Sequence, residues 1–226
     1  MLLNLLHDAA PEVRAYATLD LGSTATPGKA LEGALRDESP RVREAALRAI
    51  AADRRAAPIE PLTHLLADDP WTFVRVAAAV ALSRLPASAQ ADRALGDAMD
   101  QLSPRVREQA MQGLGAHGAV AYRSVARSHL TDAKEDLAVR VASARSTGLL
   151  CDAGAVEDLT HFAVTGASSP DPDQVTLGLV ALEALGAIHP KDLAMLLSPL
   201  QAKTARPDAR AAAARALAGP ASCKGP

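Results

Sequence analysis

The chain has 226 residues, 49% of them apolar, which excludes a disordered protein and allows one sizeable domain or a short array. Aromatic residues make up only 2%, so the interior has to be built from Ala, Leu and Val packed closely between helices, an alphabet that serves strands poorly. A formal net charge of −2 gives no global field to draw in a polyanion, which argues against nucleic acid as a partner even though 19 of the 24 basic residues are Arg.

Leucines at 2, 3, 5 and 6 read as the end of a packed helix rather than a leader, because no basic segment or cleavage site accompanies them. No apolar run reaches the roughly 18 residues that would suggest a membrane span. From there the chain repeats itself. Pro11-Glu-Val13-Arg14, Pro40-Arg-Val42-Arg43, Val74-Arg75, Pro104-Arg-Val106-Arg107, Val139-Arg140, Pro172-Asp-Gln174 and Pro207-Asp-Ala209-Arg210 superimpose. Taking 13, 42, 74, 106, 139, 174 and 209 as anchors, the spacings run from 29 to 35 residues, room for two short helices and two turns.

Four residues past each anchor stands Ala17, Ala46, Ala78, Ala110, Ser143, Gly178 or Ala213, and eight past it Leu21, Ile50, Leu82, Leu114, Thr147, Leu182 or Leu217. Anchor, +4 and +8 form a helical stripe with a small residue at its middle, as close helix packing requires. Proline two residues before the anchor suits a first helical turn. Glycines 22, 115 and 148 suit helix ends. The partner helices are expected near 28–37, 57–67, 87–100, 118–131, 152–164 and 190–203. The expected organisation is an all-α solenoid over 1–219, with units near 1–22, 28–52, 57–85, 87–117, 118–149, 152–187 and 190–219, and a flexible tail at 220–226. Cys151 and Cys223, 72 residues apart, suggest neither a disulfide framework nor a thiolate metal site; as free thiols they fit a reducing, cytoplasmic setting.

The Asp/Ser-Pro-x-Val-Arg-x-x-Ala pattern, clearest in Asp37-Glu-Ser-Pro40-Arg-Val42-Arg43-Glu-Ala-Ala46, resembles HEAT repeats of the short bacterial kind named for phycobilisome lyases. The resemblance implies an alpha-alpha superhelix of the HEAT-like or armadillo type, with about seven helical hairpins, used as a binding scaffold and in a few members as an enzyme. The Arg after each anchor is expected to pair with a carboxylate of the inter-helix turn, since Asp8, Asp37 and Asp69 each sit five residues before their anchors. Three enzymatic precedents deserve weighing. A metal-dependent hydroxylase would want His-Glu pairs, and no His here precedes Glu; His129 and His161 lack a completing ligand. A DNA-base glycosylase would want aromatic walls, a carboxylate and a basic surface, approached only by Asp68, Asp69 and Trp71. A bilin lyase has no motif to point to.

The resemblance also implies that positions −1, +2 and +6 from each anchor face the concave groove. In the second unit these are Arg41, Glu44 and Arg48, and in the fourth Arg105, Glu108 and Gln112, as a solvated helix face requires. In the third they are Phe73, Val76 and Val80, with Trp71 just upstream and Val141 contributed by the fifth unit. An apolar patch with a charged rim is a common protein-binding site, with aromatic anchors. The alternative for Trp71 and Phe73 is local gap filling. The expectation is therefore a non-catalytic, cytoplasmic, monomeric scaffold that binds a protein or peptide at this patch, without cofactor, metal, nucleic acid or membrane; the alternative is an enzyme or enzyme subunit on the same scaffold.

Overall fold

The computed structural model describes residues 2–22, 28–53, 58–220 and 222–223. The chain divides into two compact units, Met1–Gly113 and Leu114–Pro226. The first holds α1 (Leu2–Leu5), α2 (Pro11–Leu21), α3 (Gly28–Ala34), α4 (Pro40–Asp53), α5 (Ile59–Asp68), α6 (Thr72–Arg84) and α7 (Ala89–Asp97), and α8 (Pro104–His117) runs across the division. The second holds α9 (Arg123–Thr131), α10 (Leu137–Leu149), α11 (Val156–Gly166), α12 (Pro172–Ile188), α13 (Leu193–Leu196), α14 (Ser198–Gln201) and α15 (Pro207–Ala218), with single 3-10 turns before α9 and α11. Among the described residues there is no strand. The fold is all-α, a series of helical hairpins, as the repeat spacing predicts.

Each even-numbered helix up to α12, and α15 after it, carries an anchor stripe. In α4, Val42, Ala46 and Ile50 are buried; in α6, Val74, Ala78 and Leu82; in α10, Val139, Ser143 and Thr147. Such stripes meet the next repeat: α2 packs on α4 and α4 on α6 in the first unit, α10 on α12 and α12 on α15 in the second. The two polar residues of the α10 stripe are accommodated differently: the Thr147 hydroxyl donates to the Ala144 carbonyl at 2.7 Å, while the Ser143 hydroxyl has no partner.

The sixth repeat corrects the predicted register. Gln174 is exposed, and the buried run in α12 starts at Leu177. With Leu177 as anchor, Ala181 falls at +4 and Leu185 at +8, both fully buried. Proline at 172 misleads because α12 begins nearly a turn earlier relative to its anchor than the other helices do. The added turn lies against α11 through glycines. A Cβ at Gly178 would stand 2.6 Å from the Ala167 nitrogen and 2.9 Å from the Gly166 carbonyl carbon, both backbone atoms that cannot swing aside. Gly178→Ala is expected to lower the unfolding free energy by about 1–3 kcal/mol through overpacking. Gly33→Ala, at an exposed helical site with nothing within 4 Å, should instead stabilise by up to about 1 kcal/mol. Urea denaturation of the two variants gives the opposite signs if this packing is right.

Glycines 22, 115 and 148 stand at helix ends as expected, Gly22 as the C-cap of α2 and the other two in the last turns of α8 and α10, but none as a left-handed cap. Among the described glycines only Gly118 has a positive φ. A Cβ at Gly22 would meet Ala49 at 2.5 Å, one at Gly115 would meet Ser146 Oγ at 2.5 Å, and one at Gly148 would meet the Ala184 Cα at 2.9 Å. These glycines sit one residue past the stripe and let the next repeat's helix approach.

The turn aspartates act in two ways. Asp8, Asp37 and Asp69 each accept the backbone N–H two residues on, at 2.9, 2.8 and 2.9 Å, closing the turn before the anchor helix. The arginines do pair with them, but across repeats and not within their own turn. Arg14 binds Asp37 bidentately, both bonds 2.8 Å, and Arg43 Nε reaches Asp69 at 2.7 Å. Own-turn contacts go to carbonyls, as from Arg14 to Asp8 and Ala9. The rail stops at the third repeat, where the equivalent position is Gln101, which donates to the Leu66 carbonyl, and Arg75 Nε is buried without a partner. Among the described residues Arg75 reaches only the Asp69 carbonyl and Thr72.

Burial pushes the Asp37 carboxyl up, but the Arg14 hydrogen bond, the Ser39 N–H and the charges of Arg14 and Arg43 together hold it below the usual carboxylate value. A depressed carboxylate contributes stability that is complete above the unfolded-state value, near 4, and is lost as pH falls through the folded-state value. Thermal melts should therefore show the wild type losing stability below about pH 4 more steeply than Asp37→Asn, and parallel curves would contradict the assignment.

The expected pair of free thiols is corrected as well. Cys151 and Cys223 form a disulfide, Cα to Cα 5.5 Å. Cys151, at φ 52°, turns the chain sharply after α10, and the N–H groups of Ser222 and Cys223 both donate to the Ala187 carbonyl at 3.2 Å, which brings the two cysteines together. Within the stretch expected as a tail, 222–223 are thus fastened to the end of α12, while 221 and 224–226 lie outside the described residues. The inference of a reducing setting loses its support, since disulfides persist where conditions are oxidising.

Candidate functional site

In α6, Val74, Ala78, Ala81 and Leu82 are buried in the first unit, while Phe73, Val76, Ala77, Val80 and Arg84 line a pocket on the other side of the same helix. Those five positions recur at helical spacing, so they make one continuous stripe. Asp69 fixes where the stripe starts, because its carboxylate holds the Trp71 N–H and Trp71 in turn caps α6 by accepting from Val74 and Arg75. Trp71 remains 52% exposed, which is not how a gap-filling side chain sits. Its ring lies 5.8 Å from Phe73, centroid to centroid, and the Arg41 guanidinium stands 4.7 Å over the Phe73 ring.

The pocket has a volume of about 860 Å³ and is open on one side. Besides the α6 stripe and Trp71 it is lined by Ala51, Pro70, Thr72, Glu44, Arg48 and Arg105. Glu44 is engaged on both sides, by Arg41 at 3.2 Å and Arg48 at 2.9 Å. A smaller hollow adjoins through Glu44 and Arg48, where the exposed Tyr16 and Leu19 of α2 face Arg41.

Of the residues singled out in the sequence, Trp71, Phe73, Val76, Val80, Glu44, Arg48 and Arg105 come together in this pocket, and Arg41 joins through Phe73. Glu108 and Gln112 are outside the lining and bond each other at 3.1 Å. Val141 lies in the second unit, half-buried against its core. Sequence reasoning missed Arg84, which stands one turn past Val80 on the same stripe. It also missed Leu19, although this residue stands at the +6 groove position of the first unit, and Tyr16, whose exposure no repeat position signals. Asp69, a candidate carboxylate beside Trp71, is committed to Arg43 and to the Trp71 backbone. His129 pairs with Glu135 at 2.8 Å, and among the described residues no three His, Cys, Asp or Glu side chains gather as a metal site. Among them also, no helix is long and apolar enough to cross a membrane.

A family profile described as HEAT repeats matches residues 1–83, the stretch that carries the first three anchors and the aromatic pocket wall. Residues 1–83 are HEAT repeats. Among curated proteins nothing matches the chain. Among solved structures, the complex of CpcE and CpcF of phycocyanin lyase from Nostoc sp. PCC7120 is similar at TM-score 0.61 and 24% identity, over 96% of this chain and 85% of that one. An engineered protein is similar at TM-score 0.52 and 20% identity, over 96% and 93%. These likenesses show the fold of the HEAT-type scaffold. The lyase also corrects the expectation that the chain is not an enzyme. That expectation is drawn from scaffold architecture and missing catalytic motifs, and a lyase with the same architecture overturns the inference.

Proposed function

We propose that this HEAT-repeat chain is a subunit of an enzyme of the bilin-lyase kind, working with a protein partner, and that the α6 pocket is where a flat, largely apolar ligand such as a linear tetrapyrrole is held. One observation carries the reading: the exposed Trp71, its half-buried neighbour Phe73 and a valine stripe form a pocket of about 860 Å³, toward the upper end of the range of small-molecule sites. A similar fold in a two-protein phycocyanin lyase complex supports it. The lining offers Thr72 and Glu44 as its reactive oxygens, and both are bonded to arginines. The contribution expected of this chain is accordingly to bind the ligand, orient it and keep water from one face of it.

Trp71 is the single tryptophan, so it reports on the pocket directly. Titration with biliverdin is expected to quench its fluorescence saturably, and the Phe73→Glu/Val76→Glu double variant, with helical circular dichroism retained, is expected to lose that quenching. Absence of quenching in the wild type would refute the reading. Loss of helicity in the variant would show that these side chains are core, which their place on the pocket stripe contradicts.

A further inference from the structure

The chain as a whole is slightly acidic, yet the pocket gathers Arg48, Arg84 and Arg105 against one carboxylate, Glu44. That carboxylate is taken up by Arg41 and Arg48. Arg84 and Arg105 make no hydrogen bond or ion pair with any described residue, in contrast to Arg14 and Arg43, which are bonded into the turns. Arg105 holds the place in its repeat that Phe73 holds in the third, beside the aromatic end of the stripe by register, and Arg84 closes the stripe in the last turn of α6. The apolar floor of Val76 and Val80 lies between those two levels.

Resting on the reading that this pocket holds the ligand, we infer that Arg84 and Arg105 receive anionic groups of that ligand and make the pocket selective for an amphipathic carboxylate over its neutral ester. The flat body lies on Trp71, Phe73 and the valines. Its carboxylates are met by guanidinium forks whose planar donors suit bidentate binding. Neutral apolar molecules of the same shape gain the floor and lose the forks, so affinity, and not access, is what distinguishes them.

The test compares biliverdin with its dimethyl ester, which keeps the conjugated body and removes both charges. Trp71 quenching is read in the wild type, in Arg84→Gln, in Arg105→Gln and in the double variant. Both arginines are exposed, so the variants should fold, as circular dichroism can verify. In the wild type the acid is expected to bind about tenfold or more tighter than the ester, and in the double variant the two should agree within about twofold, with the single variants between. Equal binding of acid and ester by the wild type, or a preference that survives in the double variant, would overturn the role of the arginines while leaving the pocket itself in place. If neither compound quenches Trp71, the pocket reading fails and the arginine assignment falls with it.

Discussion

Reduction of the Cys151–Cys223 disulfide is expected to lower the unfolding free energy of the second unit by about 4 kcal/mol, as estimated from the chain entropy released when a loop of about this length is opened. The bond closes 72 residues that run from the end of α10 through α11 to α15, nearly two thirds of that unit. Opening it frees the unfolded chain more than it alters the folded one, where two N–H bonds to the Ala187 carbonyl still anchor 222–223. Helical circular dichroism followed against urea, with and without reductant, gives the magnitude. Cys151→Ser should reproduce the reduced protein, because the same constraint is removed. Coincident curves in all three states would mean that the C-terminal stretch contributes nothing to holding the unit.

No sequence signal predicts that bond. Neither cysteine has a neighbouring partner, and the pairing is made by tertiary contacts, the chain returning after α15 so that the N–H groups of Ser222 and Cys223 meet the Ala187 carbonyl near the end of α12. An extra turn at the start of α12 accounts for the misplaced anchor at Gln174. The anchor stripes, by contrast, are plain in the sequence wherever a β-branched residue stands first, because burial on one face imposes a period that survives without coordinates. The arginine rail was half legible. Repeating Arg and Asp implies that they pair, but the own-turn aspartate lies at a constant offset of 6 residues while the cross-repeat one lies at 23 from Arg14 and 26 from Arg43, so the sequence favours the own turn and only stacking shows the cross-repeat pair. The aromatic end of the pocket could be found because Phe73, Val76 and Val80 contrast with the polar residues at the same positions in the units on either side. Arg84 could not, because it lies beyond the three positions that the pattern compares.

Asp69→Ala is expected to cost about 3 kcal/mol in the first unit and to impair the pocket at the same time. The Asp69 side chain is 2% exposed and its partner Arg43 12%, so truncation leaves a guanidinium shielded from water with its carboxylate gone. The same truncation removes the acceptor for the Trp71 N–H, and with it the bond that sets where α6 begins and so where Trp71 and Phe73 stand. Asp69→Asn separates the two effects. An amide oxygen can still accept from Trp71 while the charge pairing with Arg43 is lost, so stability should fall by less and the fluorescence response to ligand should be retained. Arg48→Ala serves as the contrast: its pair with Glu44 is 66% exposed on the arginine side, and surface pairs of that kind contribute about 0–1 kcal/mol. Urea midpoints and Trp71 emission, measured on the three variants, should rank Asp69→Ala below Asp69→Asn and Asp69→Asn below Arg48→Ala. A folded Asp69→Ala protein with wild-type emission and quenching would show that the cross-repeat bond to Arg43 and the start of α6 are independent, and the pocket would then have to owe its geometry to the helix packing beneath it.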